Sequence, residues 1–97
     1  MPEDIRTLLR VADAVVREGR YAAANSLYER VAAEYQRLGF ALKAIAVAKQ
    51  VVSICDAHRL KPSIAALNIL VEAYSALGLD AEAGEARERL ARLGAGV

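Results

Sequence analysis

The chain has 97 residues, 56% of them apolar, and a formal net charge of +1 from 13 basic and 12 acidic side chains. That length sets a single small domain, residues 1–97, and the charge lacks the basic excess of a nucleic-acid binder. No apolar run reaches the roughly 18 residues of a membrane span, so neither a nucleic-acid partner nor membrane insertion is expected.

Much of the apolar content is alanine, the strongest helix former. The two prolines, Pro2 and Pro62, interrupt no periodic segment. The 3.6-residue period therefore predicts an all-α chain of about five helices. The first runs from about Glu3 to Glu18, residues 3–18, with Ile5, Leu8, Leu9, Ala12, Val15 and Val16 as its apolar stripe. Its polar face carries Arg6, Arg10, Asp13 and Arg17. The second runs from about Tyr21 to Leu38 and buries Ala24, Leu27, Tyr28, Val31, Ala32, Tyr35 and Leu38. The third, from about Ala41 to Ala57, is apolar over roughly half its circumference, which predicts neighbours on two sides. His58 to Pro62 is a break, because the residue before a proline avoids the helical region. The fourth runs from about Ser63 to Leu77. Asp80 is placed as the N-cap of the fifth, which runs from Ala81 to about Leu93. Gly94 to Val97 reads as a frayed end or as the start of a linker, the latter making the domain the N-terminal part of a longer protein.

Three turns share one pattern: Gly19, Gly39 and Gly78 each end a helix, and Ala24, Ala44 and Ala83 each follow five residues later. A glycine takes the left-handed conformation that ends a helix, and short links make neighbouring helices antiparallel. The pattern predicts helical hairpins whose backbones approach closely.

These residues resemble the tetratricopeptide repeat. Over residues 25–58 the family's spacing meets Tyr28, Ala32, Tyr35, Ala44 and Val51, with Ala48 in place of its Phe and Asp56 in place of its closing Pro. Over residues 64–97 it meets Leu67, Tyr74, Ala83 and Leu90, with Val71, Arg87 and Ala95 departing. An overlapping match covers Ile5 to Leu38, so the first pair is either helices one and two or helices two and three. The segment Gly39 to Ile54 also looks like helical repeats found beside signalling domains in bacterial proteins. The resemblance implies a right-handed α-solenoid stack of antiparallel hairpins. It also implies a non-catalytic scaffold or adaptor that binds another protein, as a helix or an extended peptide segment, in a groove lined by the first helix of each pair. Carried onto this chain, that lining is Ser26, Glu29, Ala33, Gln36 and Arg37 on the second helix, and Asn68, Glu72 and Ser75 on the fourth.

Catalytic chemistry has few candidates. There is one histidine and one cysteine, and no glycine-rich phosphate loop. Cys55 and His58 share a helical face three residues apart, but a metal site needs three or four ligands. Cys55 reads as core and His58 as a helix-end residue. Tyr21, Tyr28 and Tyr35, seven apart, read as packing rather than as a base-stacking platform, since Glu29 and Glu34 interleave. The expectation is no enzyme, no metal and no cofactor. A lone cysteine that cannot form an internal disulfide, behind an acidic Pro2-Glu3-Asp4 start, fits a reducing cytoplasmic setting. Two rival readings are a homo-oligomerisation module, because a short array exposes apolar end faces, and a small-molecule or peptide sensor.

Overall fold

Left-handed residues divide the chain into its helices. The computed structural model describes residues 4–95, which form α1 (Ile5–Arg17), α2 (Tyr21–Arg37), α3 (Ala41–His58), α4 (Ile64–Ala76) and α5 (Asp80–Ala95). No strand occurs among the described residues. At Gly39, φ is 84°. There the Phe40 N–H donates to the Tyr35 carbonyl at 2.9 Å, and the Gly39 N–H to that of Gln36 at 3.0 Å. The Phe40 ring then meets Tyr35 edge-on at 6.3 Å, the apolar contact that accompanies such a helix stop. Gly19 and Gly78 repeat both backbone bonds. The residue after each glycine starts the next helix, its carbonyl accepting from Ala24, Ala44 or Ala83. All three alanines are completely buried.

The α3–α4 link departs from this scheme. Arg59, not a glycine, takes the left-handed conformation (φ 55°, ψ 40°), and the Leu60 N–H donates back to Cys55 at 3.0 Å. Lys61 and Pro62 follow, and Ser63 caps α4 by accepting from the Ala66 N–H at 3.0 Å. Asp4 caps α1 in the same way, through the Arg6 N–H at 3.1 Å. Asp80 is not the N-cap of α5 but its first helical residue, because Leu79 already supplies the capping carbonyl. With Glu82 it puts negative charge in the first turn, where the helix dipole favours it. Gly94 and Ala95 are helical rather than frayed. Glu3, Gly96 and Val97 lie outside the described residues.

Each helix packs on the next, and α2 also packs on α4, whereas the backbones of α1, α3 and α5 do not approach one another. The helices thus form two layers, α2 and α4 in one and the odd-numbered helices in the other. The domain is 19 Å thick, about two helix diameters. The expected central position of α3 holds: α2 and α4 flank it, and Ala44, Ile45, Val47, Ala48, Val51 and Cys55 are buried between them.

Tyr28 is the largest fully buried side chain. Its hydroxyl donates to Asp13 Oδ1 at 2.5 Å and ties α2 to α1. The other tyrosines play lesser parts. Tyr21 stacks on His58 with ring centroids 3.5 Å apart, joining the start of α2 to the end of α3. Tyr35 and Tyr74 are only half-buried, and Leu38, expected on the buried face of α2, is exposed because it caps the helix end beyond the packed face.

Two stability predictions follow from this geometry. A Cβ added at Gly39 meets nothing within 4 Å, so the whole cost of Gly39→Ala is backbone strain, about 1–2 kcal/mol. Gly84 sits inside α5 with equally open space and no left-handed φ, so Gly84→Ala stabilises by about 1 kcal/mol. Urea denaturation reads both, and effects of the same sign would refute the assignment. Separately, Tyr28→Ala costs about 3–5 kcal/mol and Tyr28→Phe about 1 kcal/mol. Burial, then the Asp13 carboxylate, push the Tyr28 phenol from 10.0 up to about 12. The folded value lies above the unfolded one, so the hydroxyl's contribution is whole below pH 10 and is lost as pH rises through 12. The advantage of wild type over Tyr28→Phe should shrink across that window, as measured by denaturation at fixed pH steps.

Candidate functional site

Ser26, Glu29, Ala33 and Gln36 recur at spacings of three and four, and so share one face of α2. Asn68, Glu72 and Ser75 do the same on α4. Because α3 lies between them in the chain, α2 and α4 run in the same direction. Two side-chain bridges fix their register. The Ser63 hydroxyl donates to Glu29 Oε2 at 2.6 Å, and the Gln36 amide donates to Glu72 Oε2 at 2.5 Å. Ser63 therefore both caps α4 and holds α2. Between the bridges the seam carries the exposed Ala33 and Asn68.

The structure thus brings Gln36 and Glu72 together and Glu29 to Ser63, with Ser26, Ala33 and Asn68 on the same two helix faces. Arg37 and Ser75 are engaged elsewhere. Arg37 forms a double hydrogen bond with Glu34 on its own helix, which holds the Glu34 carboxyl below the usual carboxylate range. Ser75 accepts from Arg87 of α5 at 3.1 Å and belongs to the α4–α5 seam. The Ser26 hydroxyl donates back to the Ala22 carbonyl at 3.3 Å, a local bond open to residues of this type within helices.

At the N-terminal end of this face lies a cleft of about 410 Å³ between α2 and the α3–α4 link. Asn25, Ser26, Glu29, Cys55, Pro62 and Ser63 are among its walls. Asn25 is 5% exposed. Its Nδ2 lies 3.4 Å from the Val51 carbonyl and 3.3 Å from Cys55 Sγ, so the nitrogen faces the core and its contacts assign the oxygen as an acceptor. That oxygen, Oδ1, is buried without a hydrogen-bond partner, a state that costs about 1–3 kcal/mol. Burial pushes the Cys55 thiol up, against lowering by the Ser63 backbone and Asn25. The thiol stays protonated near neutrality and is a poor nucleophile.

Two further surfaces stand apart from this face. The α3–α5 groove, about 300 Å³, is floored by Leu67, Leu70 and Tyr74 and crossed by an Arg89–Asp56 ion pair at 3.0 Å. At the C-terminal end of α2 and α4, Leu38, Phe40, Leu42, Leu77 and Leu79 are all exposed, and Phe40, Leu42 and Leu77 share one depression. The Lys43 ammonium lies 5.2 Å from the Phe40 ring centre.

Among the described residues, no three His, Cys, Asp or Glu side chains converge as a metal site would require, and no helix is long and apolar enough to cross a membrane. The reading from sequence missed Asn25, Cys55 and Ser63 as neighbours. Asn25 did leave a signal: it falls three residues before Tyr28 and seven before Ala32, inside the apolar arc of α2, where a polar residue must find partners. Comparison of the chain with protein-family models, with curated proteins and with solved structures gives no match.

Proposed function

We propose that the domain is a non-catalytic, tetratricopeptide-like stack of helical hairpins that binds a segment of a partner protein along the α2–α4 face. The observation that carries this reading is the seam itself. Two same-direction helices lie in contact and share a strip of short and polar side chains, bridged at Glu29–Ser63 and Gln36–Glu72. From Ser26 to Gln36 the strip spans about 15 Å, enough for four or five residues of extended chain at roughly 3.3 Å each. Small side chains such as Ala33 let a partner backbone come close, and the flanking amides and carboxylates offer it hydrogen bonds. Acting as an adaptor inside the cell is the role that suits such a module.

A second reading, self-association, is favoured by the exposed apolar end formed by Leu38, Phe40, Leu42, Leu77 and Leu79. Patches of that kind on small soluble domains commonly mark interaction sites.

The test uses peptides selected from a random display library. Their binding should shift backbone resonances along Ser26–Gln36 and Asn68–Glu72. Ala33→Arg should weaken it by about tenfold or more, while changing stability by less than about 0.5 kcal/mol because the site is exposed. Arg10→Glu on α1 should leave it unchanged. Shifts confined to α1 or α5, or indifference to Ala33→Arg, would overturn the assignment of this face. Light scattering against concentration separates the second reading, which requires a dimer that Leu42→Glu dissolves.

A further inference from the structure

Tyr21, Tyr28 and Tyr35 recur every seven residues and so form one row along α2. The row faces the gap between α1 and α3. Tyr21 stacks on His58 of α3. The Tyr28 hydroxyl donates to Asp13 of α1, and Gln50 of α3 acts on it from the other side. Tyr35 shares a hollow of about 300 Å³ with Arg6 and Leu9 of α1, and the Lys43 ammonium of α3 lies 5.7 Å from its ring centre. The tyrosines thus floor a furrow whose walls are α1 and α3.

Those walls are cationic. Arg6, Arg10, Asp13 and Arg17 lie on one stripe of α1, and the placement of Arg6 beside Tyr35 and of Asp13 on Tyr28 turns that stripe toward the furrow. Arg6, Arg10 and Arg17 are exposed, as is Lys43 opposite. The carboxylates nearby are already engaged. Asp13 accepts from Tyr28 at 2.5 Å. Asp4, beside the hollow, accepts from the Arg6 N–H and the Thr7 hydroxyl as the cap of α1. Glu18, just past the other end of the stripe, pairs with Arg20. Among the described residues, no ion pair takes up Arg6, Arg10, Arg17 or Lys43. Like charges gathered along a cleft reinforce one another's field.

We infer that this furrow docks an acidic segment of a partner protein, its carboxylates meeting Arg10 and Arg17 and an apolar side chain entering the hollow beside Tyr35. The furrow lies in the layer of odd-numbered helices, so the inference stands apart from the α2–α4 reading. Charge complementarity sets the sign of the occupant, and guanidinium groups select carboxylates through their paired donors. The stripe from Arg6 to Arg17 is about 16 Å long, which about five residues of extended chain span. Ile5, Leu9 and Tyr35 give the hollow apolar walls. A single-stranded nucleic acid carries the same sign of charge but needs open ring faces for its bases. Here Tyr21 is covered by His58, Tyr28 is buried, and Tyr35 is engaged by Lys43 and Phe40.

The experiment titrates the isotope-labelled domain with a blocked oligoglutamate that ends in leucine, its oligoglutamine counterpart, and an oligothymidylate of about eight nucleotides. The oligoglutamate should bind saturably and shift the Arg10 and Arg17 side-chain Nε–H resonances and the backbone amides of Leu9 and Lys43. Its affinity should fall as salt rises. The oligoglutamine should bind at least about tenfold more weakly, since hydrogen bonds between ions are the stronger kind. Arg10→Glu should weaken the oligoglutamate by about tenfold or more, because it sets like charges together. Arg92→Glu, the same change in net charge at an exposed position of α5, should alter it by less than about twofold, since distant exposed charges are screened. Equal binding of the oligoglutamine, tighter binding of the oligothymidylate, equal weakening by Arg92→Glu, or no saturable shift would each overturn the inference. Peptides held on the α2–α4 face are indifferent to Arg10→Glu, so the two readings fail separately.

Discussion

Close approach of helix backbones through alanine is the constraint on which this domain depends. Ala24, Ala44 and Ala83 each lie five residues beyond a left-handed glycine and are completely buried. The glycine reverses the chain in three residues, which leaves no slack to hold the next helix away. A side chain larger than alanine at these fully buried positions would have to displace its neighbours rather than fill a void, since protein interiors are already close-packed. The tight turn and the small residue therefore work as a unit. With them in place, α2 can touch both α1 and α3 and still reach α4.

This unit explains what was legible in the sequence. Glycine and alanine at fixed offsets, with a 3.6-residue apolar period between them, locate the helices to within a residue or two. Ser63, read as the start of the fourth helix, proves to be its cap. Arg59 was not legible, because arginine carries no signal for a left-handed conformation; its φ of 55° is set by the Leu60–Cys55 hydrogen bond and the link to Pro62. Asp80 was misplaced because a good capping side chain loses its role when the preceding carbonyl already serves. The Asp13–Tyr28 bond was invisible too. Asp13 read as part of a solvated polar face, and only the packing of α1 on α2 turns it toward a phenol fifteen residues away.

The candidate site was legible by halves. The faces of α2 and α4 follow from helical spacing, so Ser26, Glu29, Ala33, Gln36, Asn68 and Glu72 could be grouped in advance. Which residues of those faces meet depends on the register between two helices that are not consecutive in the chain, and nothing local encodes that. Arg37 and Ser75 show the limit. Both have the right spacing, yet Glu34 and Arg87 engage them. Asn25 shows the opposite failure: its place inside an apolar arc was visible, but its partners Val51 and Cys55 arrive from α3.

The two layers are unlike in a way that bears on recognition. The backbones of the odd-numbered helices stay apart, with the Arg89–Asp56 ion pair reaching from α5 to α3, so their grooves are floored by the apolar side chains of α2 and α4, as at Leu67, Leu70 and Tyr74. The even-numbered helices do touch, and polar bridges cross their seam. The exposed Gln36–Glu72 bridge contributes little stability because water competes for each partner. The consequence of the bridges is organisational: Ser63 and Gln36 hold two carboxylates at defined places on an otherwise short-chained surface. Orientation of acceptors in advance lowers the ordering cost that a binding partner must meet. A seam of this composition is poorly suited to strengthening the fold and well suited to offering an extended chain fixed hydrogen-bonding positions, which is why the α2–α4 face, rather than the apolar-floored groove between α3 and α5, is the better candidate for specific docking.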